Sequence, residues 1–442
     1  FCDIILAIII LLVMQKAFKV RLQPNQKQQT QINKTIGCAR FVYNRFLALR
    51  KELYETEKKN LNYNGCSQQL TLLKKELTWL AEVDKFALQN SLKNLETSYK
   101  NFFESLKKSA KKVGFPKFKK KHGFKQSYKT NFTNNNIEVR EHYIKLPKLG
   151  WVKFHKSQEI TGKLVNVTVS LTKNGHYMAS ILCETEIDKY PDSSKELGLD
   201  LGIKSYLVTS LREEINNPKY YKKHLKKLKK AHKNLSRKQK GSSNSCKAKI
   251  KLARMYAQIT NVRDDFLHKL STRFVKEYGI ICIEDLRVAN LVKNHKLAQA
   301  ISDTSWSKFV SMLEYKANWH DRIIQKVSPF YPSSQTCSCC DSINHKVKDL
   351  SVREWVCSSC NTTHLRVNNA ATNILREGIR LLAAKCNSRR ATAQMGLGGS
   401  ISEQLALDTA VGATEVIKNA CGHEVRLGVT QALVSEAGIT RL

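Results

Sequence analysis

Acidic residues are scarce in this chain. Only 37 Asp and Glu stand against 75 Lys and Arg among 442 residues, for a net charge of +38 and a pI near 9.8. The chain is nonetheless 42% hydrophobic, which excludes a charged, unfolded arm and requires a folded protein built against a polyanion. Lys and Arg placed on phosphates release counterions and give strong, salt-dependent binding. An anionic membrane surface is the competing target, but no basic amphipathic helix adjoins a lipid-anchoring motif. Long apolar runs are lacking too. The run Ile4 to Val13 has ten residues, too few to span a bilayer, and has neither the basic stretch nor the cleavage site of a signal peptide. It reads as in-frame translation from upstream of Met14, so residues 1–13 are expected to stand outside the fold. A disulfide scaffold is excluded as well: apart from four, the thirteen cysteines are scattered, as suits a reducing cytoplasm.

Those four carry the sharpest signal. Cys337 and Cys340 form one C-x-x-C pair, Cys357 and Cys360 a second, with sixteen residues between. Each pair fits one turn, so two thiolates converge on an ion and the intervening segment folds back to deliver two more. That is the closed Cys₄ layout of a structural Zn²⁺ ribbon. Two redox pairs would be the alternative, but such pairs usually stand alone beside a βαβ unit. Cys339 lies inside the first knuckle and reads as a spectator able to compete with Cys340.

At this length roughly two to four domains are expected. Lys16 to Leu22 alternates like a strand, and residues 25–106 have few prolines or glycines and apolar residues at three- and four-residue steps, a helical pattern. Residues 107–129 carry ten lysines, among them Lys117, Lys119, Lys120 and Lys121, interleaved with Phe115, Phe118, Phe124 and Tyr128. Cations with aromatic faces suit a nucleic-acid backbone with unstacked bases; the plainer reading is a solvated loop anchored by its aromatics. Val165 to Leu171 and Tyr177 to Cys183 alternate around Asn174-Gly175, which predicts a hairpin with a type I′ turn. Leu197 to Leu211 reads as a second hairpin. Pro218 opens a long helix, and eleven Lys and Arg fall between Lys219 and Lys240, including Lys226, Lys227, Lys229, Lys230, Arg237 and Lys238. So dense a single-sign face repels itself without a counter-charge, which favours nucleic acid over a merely solvated surface. Leu235 to Ser245 reads as a loop and Cys246 to Tyr278 as helix. Gly279 to Leu286 reads as a buried strand, Asp303 to Val327 as helix, and Asn368 to Ala384 as a final helix. A mobile tail is expected beyond it.

Asp200 and Glu284 stand at or near the ends of apolar strands, where a charge is costly unless paired with cations. Brought together in a phosphate-binding protein, two such carboxylates suit Mg²⁺ or Mn²⁺ and phosphodiester cleavage. A strand-end Asp is also often only a cap.

The motifs MQKAFKVRLQPN, CARFVYN, GFPKFKKK, LGLDLGIK, LSRKQKGSSN, IEDL, SSQTCSCC…VCSSC and NNAATNIL, in this order over residues 14–385, make the chain resemble the TnpB (OrfB) family. These are transposon-encoded RNA-guided DNA nucleases related to type V CRISPR effectors. The resemblance implies an α+β multidomain fold: a split β-barrel of the wedge type (14–30 and 125–192) with an inserted helical recognition lobe (31–124). A RuvC-like, RNase H-fold nuclease domain follows (193–330 and 362–385), with the zinc ribbon (331–361) inserted and a flexible tail (386–442) after it. It implies Asp200 and Glu284 as catalytic, Mg²⁺-binding residues. It further implies a guide RNA from the protein's own element, double-stranded target DNA, a monomer with its RNA, no membrane, and a prokaryotic, nucleoid-associated location. The third acid departs from the pattern. Where the family has His-Asp-Arg-Asp, this chain has His364, Leu365, Arg366 and Val367, so Val367 takes the place of a metal-binding aspartate. Loss of one carboxylate in three should impair cleavage while sparing zinc and nucleic-acid binding. The rivals are a nuclease-dead RNA-guided binder acting by occupancy and a conventional transposase.

Overall fold

The computed structural model describes residues 14–107, 113–121, 126–349, 351–396, 415–418 and 424–427, so the expected leader at 1–13 lies outside the described residues. The chain divides into two compact units, residues 1–187 with 228–257, and residues 188–227 with 258–442.

The first unit opens on β1 (Met14–Gln23), whose Phe18, Val20 and Leu22 alternate inward. Asn25 then starts α1 (Gln26–Glu57) with a capping box: its side chain accepts from the Gln28 N–H, and the Gln28 side chain accepts from the Asn25 N–H. The helical insertion therefore begins several residues before the expected boundary at 31. It continues through α2 (Tyr63–Glu76) and α3 (Lys85–Lys107). The chain returns as β2 (Gln126–Asn131), β3 (Glu138–Arg140), β4 (Tyr143–Leu146), β5 (Gly150–His155), β6 (Lys163–Leu171) and β7 (Tyr177–Thr185). The sheet order is β2-β6-β7-β1-β5-β4-β3, antiparallel throughout. One core joins Phe18, Tyr128, Ile144, Phe154, Val169 and Ile181 with Ile32 and Ile36 of α1, so the sheet curls around it. Among the described residues no pairing joins β2 to β3; the expected barrel is a curled sheet with two free edges.

The β6–β7 hairpin corrects the expected turn. Gly175 has φ +83°, but Asn174 is absent from the positive-φ residues, and a type I′ turn needs both. The Gly175 N–H donates to Thr172 O at 3.0 Å and the Thr172 N–H to His176 O at 2.9 Å, a type I turn closed by a left-handed glycine. The third loop residue takes the strain that Asn174 would otherwise bear.

The second unit is built on β8 (Glu196–Leu201), β9 (Ser205–Thr209), β10 (Glu214–Asn216), β11 (Ile280–Glu284) and β12 (Ile323–Val327), in the order β10-β9-β8-β11-β12. β8 to β10 form an antiparallel meander; β8, β11 and β12 are parallel. Between them in sequence run α4 (Tyr220–Ser236), α5 (Ser243–Glu277), α6 (Val288–Leu291), α7 (Ala298–Thr304) and α8 (Trp306–Trp319); α4 from Leu228 onward and α5 as far as Ala257 belong to the first unit. The loop expected at 235–245 shrinks to 237–242. The helix expected to run to Val327 stops at Trp319, where Asp321 turns left-handed at φ +53°, and Ile323 to Val327 instead pair with β11. A β-branched run beside an open strand edge outweighs a helical period that the preceding residues merely continue. The ribbon strands β13 (Glu354–Val356) and β14 (Thr363–Leu365) pair with each other and run past the expected limit at 361. The last long element, α9 (Arg366–Gly396), extends well beyond Ala384, and β15 (Glu415–Lys418) pairs with β16 (Glu424–Leu427). The tail expected from 386 is thus helical to 396 and holds a short hairpin, and its remaining residues lie outside those described. Among the described residues no helix is long and apolar enough to cross a membrane.

Candidate metal sites and nucleic-acid faces

Strand alternation sorts the acids from the core. Leu197, Leu199, Leu201, Ile281 and Ile283 join Leu267, Phe274, Phe309 and Leu313 of α5 and α8 in one apolar cluster. The intervening residues must face the other way. Ile280 and Cys282 do so, packing with Ile374 and Ile379 of α9. A methyl on Gly198 would sit 2.3 Å from Ala371 O, and one on Gly378 2.3 Å from Cys282 Sγ, so glycine lets this helix lie close on the sheet. Asp200 and Glu284 belong to the same α9-facing side. Leu199 pairs with Ile283, and carrying that parallel register one residue further sets the two acids side by side.

Both carboxyls resist ionisation. Burial, then the charge of Glu284, raises Asp200 to about 7, against the opposing charge of Arg366. Burial raises Glu284 to about 7. Two reluctant acids on one face call for a cation.

The start of α9 is what faces Asp200. From Gly198, opposite Ala371, two strand residues (about 6.6 Å) lead to Asp200, and one helical turn back (about 5.4 Å) leads to Val367. The charge that Arg366 exerts on Asp200 fixes that direction. Arg366 also donates to Asp349 O at 2.8 Å. Val367 is half-buried, whereas Leu365 is 51% exposed. The first turn of α9 thus offers an aliphatic side chain and a cation, and no carboxylate.

The four ribbon cysteines converge, their sulfurs all within 4.8 Å of one another. Cys337 to Cys360 and Cys340 to Cys357 are each 3.6 Å, close to the edge of about 3.8 Å that tetrahedral Zn–S bonds of about 2.3 Å require. The Ser342 hydroxyl, first among its partners, brings the Cys357 thiol down to about 5; the Thr362 hydroxyl lowers Cys360; burial pushes Cys337 up to about 12. Cys337 is also the sulfur that His364 reaches, Nε2 to Sγ at 3.0 Å. Cys337, Cys339 and His364 form a second possible ligand group, but three ligands leave a tetrahedron open. The four cysteines close it, leaving His364 to donate to the most buried thiolate.

Sequence reasoning missed the fastening of this ribbon to α9. The Ser338 N–H donates to Asn369 Oδ1 at 2.9 Å, and Asn369 Nδ2 donates to Thr336 O at 2.7 Å. Asn373 Nδ2 donates to Ser333 O at 2.8 Å and to Thr336 O at 2.6 Å, and Arg376 donates to Ser338 O at 2.8 Å. Both asparagines are buried. The legible signal was two amides four residues apart on a helix, which share a face.

The expected basic residues divide by environment. Lys226, Lys227, Lys229, Lys230, Arg237 and Lys238 are exposed on α4 and the turn after it, where Leu228 alone is buried in the helix. Lys117, Lys120 and Lys121 are exposed. Lys119 is half-buried with its ammonium 3.9 Å over the Tyr43 ring, and burial lowers it to about 8. Phe115 packs edge-on against Tyr99 and Phe102, the anchoring role, although it stays exposed on its other side, as Phe118 does. Lys108, Lys111, Lys112, Phe124 and Lys125 lie outside the described residues.

Comparison with known proteins places this arrangement. A family model described as a probable transposase of the OrfB type matches residues 180–295, and one described as the Cas12f1-like TNB domain matches 306–374. A curated protein of Streptomyces pristinaespiralis is 39% identical over 84% of this chain and 91% of its own length; InsQ of Escherichia coli K12 is 34% identical over 83% and 93%. Both bear the name "Putative RNA-guided DNA endonuclease". The chain belongs to the TnpB (OrfB) family. A cryo-EM Cas12f1-sgRNA-target DNA complex aligns at TM-score 0.49 and 15% identity over 82% of this chain and 98% of that chain, too loosely to carry an argument. A helix-turn-helix model also matches 14–59, but in this TnpB protein that segment is β1 followed by the single unbroken α1.

Proposed function

We propose that this TnpB protein is an RNA-guided DNA-binding protein of a transposon, with a RuvC-like endonuclease site impaired by Val367. The observation that carries the reading is the placement of Asp200 and Glu284 on adjacent parallel strands beneath the first turn of α9. A Mg²⁺ or Mn²⁺ ion held by these two acids would polarise a phosphodiester and help to generate its nucleophile. The chain's own part is to orient both carboxylates and keep one side of the site dry through α9. The family pattern has the same arginine at Arg366, so its charge does not separate the readings. Leu365 and Val367, both in place of aspartates, favour the second reading, a binder that acts by occupancy. Base pairing would read sequence, and the protein would read heteroduplex shape and a short adjacent motif. The deciding test is purification with bound nucleic acid, then cleavage of a matched target using the co-purifying RNA.

The exposed lysines would carry much of the affinity. Replacing Lys226, Lys227, Lys229 and Lys230 by Glu is expected to flatten the salt dependence of RNA binding by up to about 3 in log–log slope, at roughly 0.7 per single-strand phosphate lost. An unchanged slope would show that the face is merely solvated.

The acids also predict a pH dependence. An acid whose folded pKa lies above its unfolded value keeps its proton in the fold, so ionising it destabilises the fold. With Asp200 and Glu284 at about 7, against ordinary values of 3.8 and 4.5, the unfolded chain releases these protons first, so metal-free protein should lose stability from about pH 4 to about pH 7 and change little above that. The loss should shrink in Asp200→Asn and with added Mg²⁺. Parallel melting curves for wild type and variant across that range would contradict it.

A further inference from the structure

One aromatic ring near the acids has no packing role. Phe330 is 80% exposed, the most exposed of the large apolar residues described. It lies three residues past Val327, which pairs in register with Glu284. The ring is held there: the Phe330 N–H donates to Ser328 Oγ at 3.3 Å, the Tyr331 N–H to Ser328 O at 3.1 Å, and Pro329 and Pro332 flank the turn. Tyr331 turns inward to pack with Ile374 and Val327, which commits Phe330 to the outside.

Over the Phe330 ring stands the Arg287 guanidinium, 5.5 Å from its centroid. Arg287 follows Glu284 by three residues, so its Cα lies within about 10 Å of that of Glu284 by chain reach alone. Among the described residues Arg287 has no acidic partner. A guanidinium and an aromatic ring, both exposed and both tethered to the ends of the strands that carry or flank the acid, match what an unpaired base needs. The ring offers a π-face to stack on, and the cation serves either the base or the adjoining phosphate.

We propose that Phe330 and Arg287 form a stacking step that receives an unpaired base of single-stranded DNA at the edge of the Asp200–Glu284 site. This rests on the nuclease reading for its purpose but can be measured without cleavage. The probe is a single-stranded oligodeoxythymidylate carrying one 5-iodouracil. It is bound to the full chain in EDTA, irradiated, digested and mapped by mass spectrometry. The peptide containing Phe330 should crosslink. Phe330→Leu should lower the yield at that peptide at least about fivefold and Phe330→Trp should keep it, since a stacked base is worth roughly five- to a hundredfold in affinity. Arg287→Ala should lower it less. Phe330 is exposed, so these variants should melt as wild type does. Crosslinks confined to the 117–121 and 226–230 segments, or a yield unchanged by Phe330→Leu, would overturn the proposal. Crosslinking at Phe330 with no cleavage even by the Val367→Asp variant would sink the nuclease reading alone; cleavage by that variant without the crosslink would sink the stacking step alone.

Discussion

Cys357→Ser is expected to strip the ribbon of its metal and to unfold it. Wild-type protein should hold one tightly bound Zn²⁺ per chain, and the variant well under half. The ribbon has little else to fold around: its apolar cluster is Val347 and Trp355 with the cysteines, and Val352 beside them. Metal binding in such small modules is worth about 10–16 kcal/mol of folding free energy, far more than those side chains can contribute by burial. Cys339→Ser is the control and should retain the ion. The damage should also travel. Asn369 and Asn373 hold the carbonyls of Ser333 and Thr336, just before Cys337, so loss of the knuckle removes the anchor of the α9 segment facing Asp200. Amide exchange should therefore rise at the start of α9 as well as within the ribbon. A zinc stoichiometry near zero in undamaged wild-type protein would end this account.

How much of this was legible beforehand depended on whether the deciding force was local. The cysteine knuckles, the alternating strands and the Gly-marked hairpin are written in neighbouring residues, and each element exists. The hairpin's turn type was missed because Asn-Gly permits two solutions, and the third loop residue settles between them. The strand Ile323–Val327 reads as helix in sequence because its short β-branched run is a weak cue without the edge on β11, which lies about forty residues earlier. The pairing of Asp200 with Glu284 is likewise non-local: each strand reads as apolar alone, and only the parallel register makes the acids neighbours. The spacing of Asn369 and Asn373 on one helix face is legible, but their partners are not, since these are backbone carbonyls of another segment. Lys119 shows the converse. Its lysine-rich surroundings say solvent, yet Asn44 holds the Lys119 backbone through both its N–H and its carbonyl, which turns the side chain onto Tyr43.

Val367→Asp should turn a weak or silent nuclease into a measurable one. The wild-type chain is expected to bind guide and target but to cut poorly, because two carboxylates leave part of the charge of a divalent cation, and of the transition state, without a partner. An Asp at position 367 would extend from the first turn of α9 toward the face that carries Asp200 and Glu284. It would also give Arg366, whose charge acts on both Asp200 and Asp349, a further carboxylate. Each tenfold gain in rate corresponds to about 1.4 kcal/mol of barrier, so even partial recovery is visible in a gel assay. Leu365→Asp is the matched control. It adds the same charge two residues away, on a side chain 51% exposed at the end of β14, and should give nothing. Val367 is half-buried, so the new carboxylate must displace some apolar packing. Val367→Glu tests whether a longer arm reaches better, and Mg²⁺-dependent protection of α9 from exchange reports metal binding even where cutting stays slow. Efficient cleavage by the unmodified chain, abolished by Asp200→Ala, would mean that another residue supplies the third ligand and that Val367 does not occupy its place.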